Sequence, residues 1–145
     1  MSLCFDCGLC CDGSLFSHAS GDGGGPRAQS LPAAEGKPGC FRQPCVAFGP
    51  GGCSIYEDRP TACRAFDCTV LTAFQTGRVT REEALEAINE LKARRARVAE
   101  VLGEPDSGAA MTKARALAAE GRLSDELSHA FGRFSRGAML FFHKL

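Results

Sequence analysis

The chain has 145 residues, 44% hydrophobic and 23% charged, an ordinary globular balance at the length of one domain, which argues against a disordered polymer. Seventeen basic and seventeen acidic residues cancel, so the basic surplus of a general nucleic-acid binder is missing. No segment approaches the ~20 consecutive apolar residues that span a bilayer.

The start, Met1-Ser2-Leu3-Cys4-Phe5-Asp6, has neither a basic n-region nor an apolar h-region, so the cytoplasm is the expected compartment. Thiols stay reduced there, and a dense cysteine cluster reads as metal-binding before it reads as disulfides. The chain has nine cysteines. All lie in the first 68 residues, and the odd number would leave one thiol over from any complete disulfide pairing.

Region 1–77 carries every cysteine and every proline except Pro105. It begins with Cys4-Phe5-Asp6-Cys7-Gly8-Leu9-Cys10-Cys11, two overlapping C-x-x-C steps. A two-residue gap lets a tight turn aim both sulfurs at one metal, with backbone amides supporting the thiolates. Gly8 suits such a turn because it tolerates positive φ. Adjacent side chains in extended backbone point to opposite sides, so Cys10 and Cys11 are expected to serve two metals or two edges of a cluster. Gly21-Asp22-Gly23-Gly24-Gly25-Pro26 is expected to be a mobile loop without helix or strand.

The second cysteine group is Cys40, Cys45, Cys53, Cys63 and Cys68. Pro60 opens a short helix or turn carrying Cys63. Four thiolates around Zn²⁺ or a [4Fe–4S]²⁺ cluster leave a surplus negative charge, and Arg59 and Arg64 are placed to offset it. The competing expectation is that they pair with Glu57, Asp58 or Asp67 in a surface network. Two closed tetrahedral sites need eight thiolates, which favours a polynuclear or two-site arrangement over a single ion. His18 is a candidate substitute ligand. His129 and His143 read as helix-surface residues. No hydrolase, phosphate-loop or metalloprotease motif is present.

Region 78–145 reads as helical. Thr80-Arg81-Glu82-Glu83 is a capping box, opening a helix to about Leu102 that Gly103 and Pro105 end. Its apolar stripe is Ala84, Ile88, Leu91, Val98 and Leu102, interrupted at Arg95. The Lys92–Arg97 run reads as a solvated face with Glu90–Arg94 type pairs. A second helix covers about Met111–Ala119. A third starts near Ser124, with Leu127, Phe131, Phe134, Ala138, Phe141 and Leu145 on one face and a kink or break expected at Gly132 or Gly137. The cysteine-rich region has too little apolar surface to offset its chain entropy unaided, so bound metal is the expected cross-link. The expected fold is a small α-rich, metal-stapled domain, its irregular cysteine-rich N-terminal half packed on a C-terminal helical hairpin or bundle.

Cys4-x-x-Cys7-Gly8-x-Cys10-Cys11, then Pro44-Cys45, then Gly52-Cys53-x-Ile55-Tyr56-x-x-Arg59-Pro60-x-x-Cys63-Arg64-x-Phe66-x-Cys68, resembles the YkgJ-type cysteine cluster proteins, the bacterial C-x-x-C-x-x-C-C family described as zinc- or iron-chelating. The resemblance covers about the first seventy residues. It implies metal ligation by Cys4, Cys7, Cys10, Cys11, Cys45, Cys53, Cys63 and Cys68, with Cys40 as a possible ninth ligand, an exchange partner or a free thiol. Related clusters occur joined to flagellin lysine methylases. No methyl-donor domain is visible here, and that activity is not carried over.

Four readings remain open from the residues. The first is a module chelating zinc or iron, structural or metal-handling. The second is an iron–sulfur electron-transfer protein, although Cys10-Cys11 breaks the ferredoxin spacing. The third is a thiol-redox protein, which usually needs a βαβ context missing here. The fourth is an adaptor whose helices 80–145 bind an unknown protein partner.

Overall fold

In the computed structural model, which describes residues 2–142, the chain divides between Phe66 and Asp67 into two units. The first unit holds α1 (Leu3–Cys7), two small antiparallel sheets and α2 (Thr61–Ala65). The sheets are β1 (His18–Ser20) with β2 (Cys40–Arg42), and β3 (Phe48–Gly49) with β4 (Gly52–Cys53). The second unit holds α3 (Thr69–Gln75), α4 (Arg81–Leu102), α5 (Ser107–Ala119) and α6 (Asp125–Phe142). The protein is therefore helix-rich with little strand, as the periodicity of region 78–145 implied.

In the first unit the β1–β2 register pairs His18 with Arg42, Ala19 with Phe41 and Ser20 with Cys40. Strand alternation turns Phe41 inward, where it is buried, while Arg42 beside it is exposed. A separate small core gathers Ala28, Ala47 and Ile55, with Leu31, Cys45 and Cys53 packed against it. Two of the cysteines are thus also part of this unit's limited apolar packing.

The glycine-rich segment departs from the expected mobile loop. It has no helix or strand, but hydrogen bonds tie it down. Gly25 N donates to Asp58 O at 2.9 Å, Thr61 N donates to Asp22 O at 2.9 Å, and Arg64 Nη2 donates to Gly23 O at 2.6 Å. Glycine is required for this approach: a Cβ on Gly23 would lie 2.1 Å from Thr61 Oγ1, and one on Gly24 2.5 Å from Ala28 Cβ. The Arg27–Asp58 ion pair, 2.6 Å, closes the same junction. Its guanidinium, hydrogen-bonding the carboxylate, holds the Asp58 pKa below its ordinary value.

In the second unit, Thr80 and Glu83 form the expected capping box, and Gly103 ends α4 in the left-handed conformation at φ 62°. Ala84, Ile88, Leu91 and Val98 are buried along one stripe, and Arg95 is half-buried at the interruption. The Glu90–Arg94 pair is present. The helix expected from Met111 starts four residues earlier, because Asp106 caps it by accepting from Ala109 N at 2.7 Å. Ser124 caps α6 by accepting from Leu127 N at 3.2 Å.

Helix α6 runs unbroken through Gly132 and Gly137, contrary to the expected kink. Gly137 instead permits close packing: a Cβ there would lie 2.9 Å from Arg94 Nη1 and 3.1 Å from Leu91 Cδ1. Arg94 reaches across to donate to Arg133 O at 3.2 Å. Leu127, Phe134, Ala138 and Phe141 are buried, and Phe131 is half-buried. His129 is exposed, as expected for a helix-surface residue; His143 and Leu145 lie outside the described residues.

Phe134 is buried to 3% exposure, so Phe134→Ala is expected to destabilise the second unit by about 3–5 kcal/mol through lost burial and a residual cavity. Urea unfolding followed by far-UV circular dichroism checks this, with the exposed Ser128→Ala as the near-neutral comparison.

Candidate metal centre

Cys4 and Cys7 stand on α1 rather than in the expected tight turn. Ser2 Oγ accepts from Cys4 N at 3.3 Å, and Gly8, at φ 70°, closes the helix by donating to Cys4 O at 3.0 Å. Residues three apart on a helical turn share a face. Cys4 is exposed and Cys7 half-buried. The chain turns again at once, because Cys11 N and Asp12 N both donate to Gly8 O, at 2.8 and 2.9 Å. Cys10 and Cys11 therefore lie in a turn, not in extended backbone.

Aromatic rings seat this helix. Phe5 packs edge-on against Tyr56, with ring centroids 5.0 Å apart, and lies over Gly52, whose Cβ would be 3.0 Å from the ring. On the neighbouring turn a Cβ on Gly8 would be 2.4 Å from Phe48 Cζ. The motif glycines are thus needed as much for ring contact as for backbone conformation.

Cys11 and Cys45 meet through the main chain: Cys45 N donates to Cys11 O at 2.7 Å. Cys45 opens a turn in which Phe48 N donates to Cys45 O at 3.0 Å. The Ala47 and Phe48 amides pull the Cys45 thiol pKa down. The β3–β4 hairpin then returns the chain, pairing Phe48 with Cys53, and Ser54 N donates to Ala47 O at 2.8 Å. This places Cys53 beside Cys45 on the small core.

Cys63 arrives on α2, which opens after Pro60 as the sequence suggests. The hydrogen bonds to the glycine-rich segment fix this helix. Arg59 stacks on the Tyr56 ring, 3.4 Å from its centroid, and donates to Tyr56 O at 2.7 Å. Its positive charge acts on Cys63. Arg64 is spent on the Gly23 carbonyl and Asp58 on Arg27. Arg59 thus acts on the Cys63 thiol, whereas Arg64 holds the loop, a role that neither expectation gave it.

The thiols of Cys11, Cys45, Cys53 and Cys63 lie within mutual electrostatic range. Burial, then repulsion from Cys45, Cys63 and Cys53, pushes the Cys11 thiol up to about 12. Burial likewise raises Cys45, against the pull of the Ala47 and Phe48 amides. Burial and the neighbouring Cys45 and Cys53 raise Cys63, against the pull of Arg59. Among the described residues no three His, Cys, Asp or Glu side chains stand in direct ligating geometry. The two findings are compatible, because protonated thiols have no attraction that would draw them together, and a soft cation must displace their protons to do so. As a donor set these residues fit zinc or iron: four soft sulfurs, with backbone amides lowering the pKa of one and a guanidinium that of another.

The remaining candidates are distributed. Cys40 sits on β2 opposite Ser20. Cys68 belongs to the second unit, where its sulfur caps α3 by accepting from Leu71 N at 3.4 Å. His18 is on β1, its Nδ1 2.9 Å from Ser17 Oγ. No disulfide joins any of the nine cysteines. Phe5, Tyr56 and the Arg27–Asp58 pair were not singled out from sequence as site-forming residues. Only the x-Tyr56-x-x-Arg59 spacing inside the motif could have drawn notice to any of them.

The Cys11 shift has a sign in stability. An unfolded thiol titrates near its ordinary 9.0, and the folded one near 12. Its contribution is therefore fully present below about pH 9 and is lost as pH rises toward 12. Metal-stripped, reduced protein should unfold at lower urea at about pH 10 than at about pH 8, with a smaller fall in Cys11→Ala. Fluorescence of Tyr56, the chain's single tyrosine, reports the first unit, and the variant measured at the same two pH values cancels tyrosine ionisation.

No curated protein and no solved structure matches the chain. A family described as "Putative zinc- or iron-chelating domain" matches residues 3–90. This segment takes in all nine cysteines and the whole site just described. Since that is more than half of the chain, the protein belongs to the CxxCxxCC family.

Proposed function

We propose that this protein chelates zinc or iron through cysteine thiolates, with Cys4, Cys7, Cys10, Cys11, Cys45, Cys53, Cys63 and Cys68 as the ligand set and Cys40 outside it. The observation that carries this reading is the group of Cys11, Cys45, Cys53 and Cys63, brought within electrostatic range by four separate chain segments. Apolar packing accounts for Cys45 and Cys53, and metal ligation gives a reason for all four. The amides on Cys45 and the guanidinium near Cys63 support the same reading, because they stabilise thiolate charge. The role is structural or metal-handling, in the cytoplasm. An ion held this way would supply the cross-link that the small core of the first unit leaves wanting.

A second reading is favoured by one observation. Backbone amides that favour charge on a ligand sulfur, as Ala47 and Phe48 do at Cys45, also tune the potential of iron–sulfur clusters, so an electron-transfer centre is the alternative. Metal analysis with a visible spectrum on protein purified without air separates the two. Colourless protein carrying zinc supports the chelating module; iron with acid-labile sulfide supports the cluster.

Single substitutions test the ligand set. Cys7→Ser should sharply lower metal content, because each lost ligand forfeits binding energy that supports folding. Cys40→Ser, on the strand opposite Ser20, should keep the wild-type stoichiometry. Unchanged metal in Cys7→Ser, or equal loss in the two variants, would sink the assignment.

A further inference from the structure

We infer that Arg27, with the glycine-rich segment before it, is a positioning residue for the metal centre. It sets where the helix bearing Cys63 stands relative to the strand bearing Cys53, and it acts on the metal through Cys63. This rests on the metal-binding reading above, in which Cys63 is a ligand, and adds to that site a residue without sulfur.

One guanidinium spans the two places. Arg27 Nη1 donates to Ser54 O at 3.2 Å, on the residue after Cys53. Its Nε donates to Asp58 Oδ2 at 2.6 Å, shortly before α2. The rigid fork fixes the angle between these donors, which an ammonium does not. Each glycine of Gly23-Gly24-Gly25 abuts the same approach to α2. A Cβ on Gly25 would lie 2.5 Å from Asp58 Oδ1, one on Gly24 3.2 Å from Asp58 O, and one on Gly23 2.1 Å from Thr61 Oγ1. Gly25 N to Asp58 O, Thr61 N to Asp22 O and Arg64 Nη2 to Gly23 O complete the seam. Next to Arg27, Ala28 anchors the segment in the small core on which Cys53 packs.

The ion pair is badly placed for a stabilising role. The Arg27 side chain is 58% exposed, and water screens such pairs until they contribute little. What it holds together is the better account. Between Cys53 and α2 the regular structure is one short 3-10 turn, Tyr56–Asp58. Phe5 seats that turn from one side through the Tyr56 ring. Arg27 clamps it from end to end, from Ser54 to Asp58. Groups that orient a ligand from outside the coordination shell typically change metal affinity by about 10–100-fold.

The test is anaerobic titration of the full, reduced chain with cobalt(II), whose thiolate charge-transfer band reports the sulfurs bound to each ion. Arg27→Ala is expected to bind cobalt about 10–100-fold more weakly and to show a lower band per bound cobalt. A chain that was merely less stable would load less cobalt with the band per ion unchanged. In the Cys63→Ser background the same substitution is expected to cost no further affinity. Wild-type affinity in Arg27→Ala, an unchanged band per bound cobalt, or equal losses in the two backgrounds overturns the inference. Wild-type affinity and band in Cys63→Ser also overturn it, because Arg27 then has no ligand to position. If Cys63→Ser binds no cobalt, the Arg27→Ala band decides. If Arg27→Ala does not fold, as followed by Tyr56 fluorescence, Arg27→Lys takes its place and is judged by the same band, since it keeps the charge but has one nitrogen for two acceptors. Failure of the wild-type chain to take up cobalt, zinc or iron is a different result, and brings down the metal-binding reading itself.

Discussion

Gathering sulfur is the constraint around which the first unit is arranged. Four thiols placed near one another and partly out of water repel each other as soon as they ionise, and burial alone already resists that charge. Beyond the apolar packing of Cys45 and Cys53, a chain gains little from such a grouping. The elements around it are correspondingly small: strands of two or three residues, helices of five, and a core built on Ala28, Ala47 and Ile55. They are short because they deliver single residues to one place, and burying broad faces is secondary.

Backbone contact performs this delivery. Glycines at 8, 23, 24 and 52 each sit where a methyl group would meet a ring, a hydroxyl or another methyl. They let loops approach as closely as strands do, and hydrogen bonds then fix the approach. The second unit is built by the opposite means. Its helices are capped, long and amphipathic, and Ile88, Val98 and Met111 are enclosed within it; each such side chain contributes roughly 1.5–3 kcal/mol. One unit is specified by where its backbone can come close, the other by what its side chains bury.

That contrast explains what could be read from residues alone. The capping box, the end of α4 at Gly103 and the buried stripe of α6 depend on neighbours within a few positions, and they were legible. The Cys63 helix after Pro60 was legible for the same reason. The tie between the glycine-rich segment and Asp58–Arg64 joins residues more than thirty positions apart, with no periodicity to announce it, and the segment read as mobile. Gly137 read as a break because glycine weakens a helix locally; its role depends on Arg94 and Leu91 of another helix. The cysteine motif identified the family and the donor chemistry. Which sulfurs come together depends on hairpin register and on main-chain contacts that spacing does not encode.

The β3–β4 hairpin sets different tolerances to change in chain length. Cys53 pairs with Phe48 because only Pro50 and Gly51 separate the paired Gly49 and Gly52. Side chains alternate along a strand, so one residue inserted or deleted there would turn Cys53 toward the opposite face. The stretch 35–39 between β1 and β2 is exposed, and its two glycines have open space around them. A change in length in that outer loop would thus be absorbed by solvent-exposed chain, while one in the hairpin would be opposed by the Phe48–Cys53 register. In this chain, spacing between the cysteines is elastic where it crosses solvent and rigid where it crosses a strand pair.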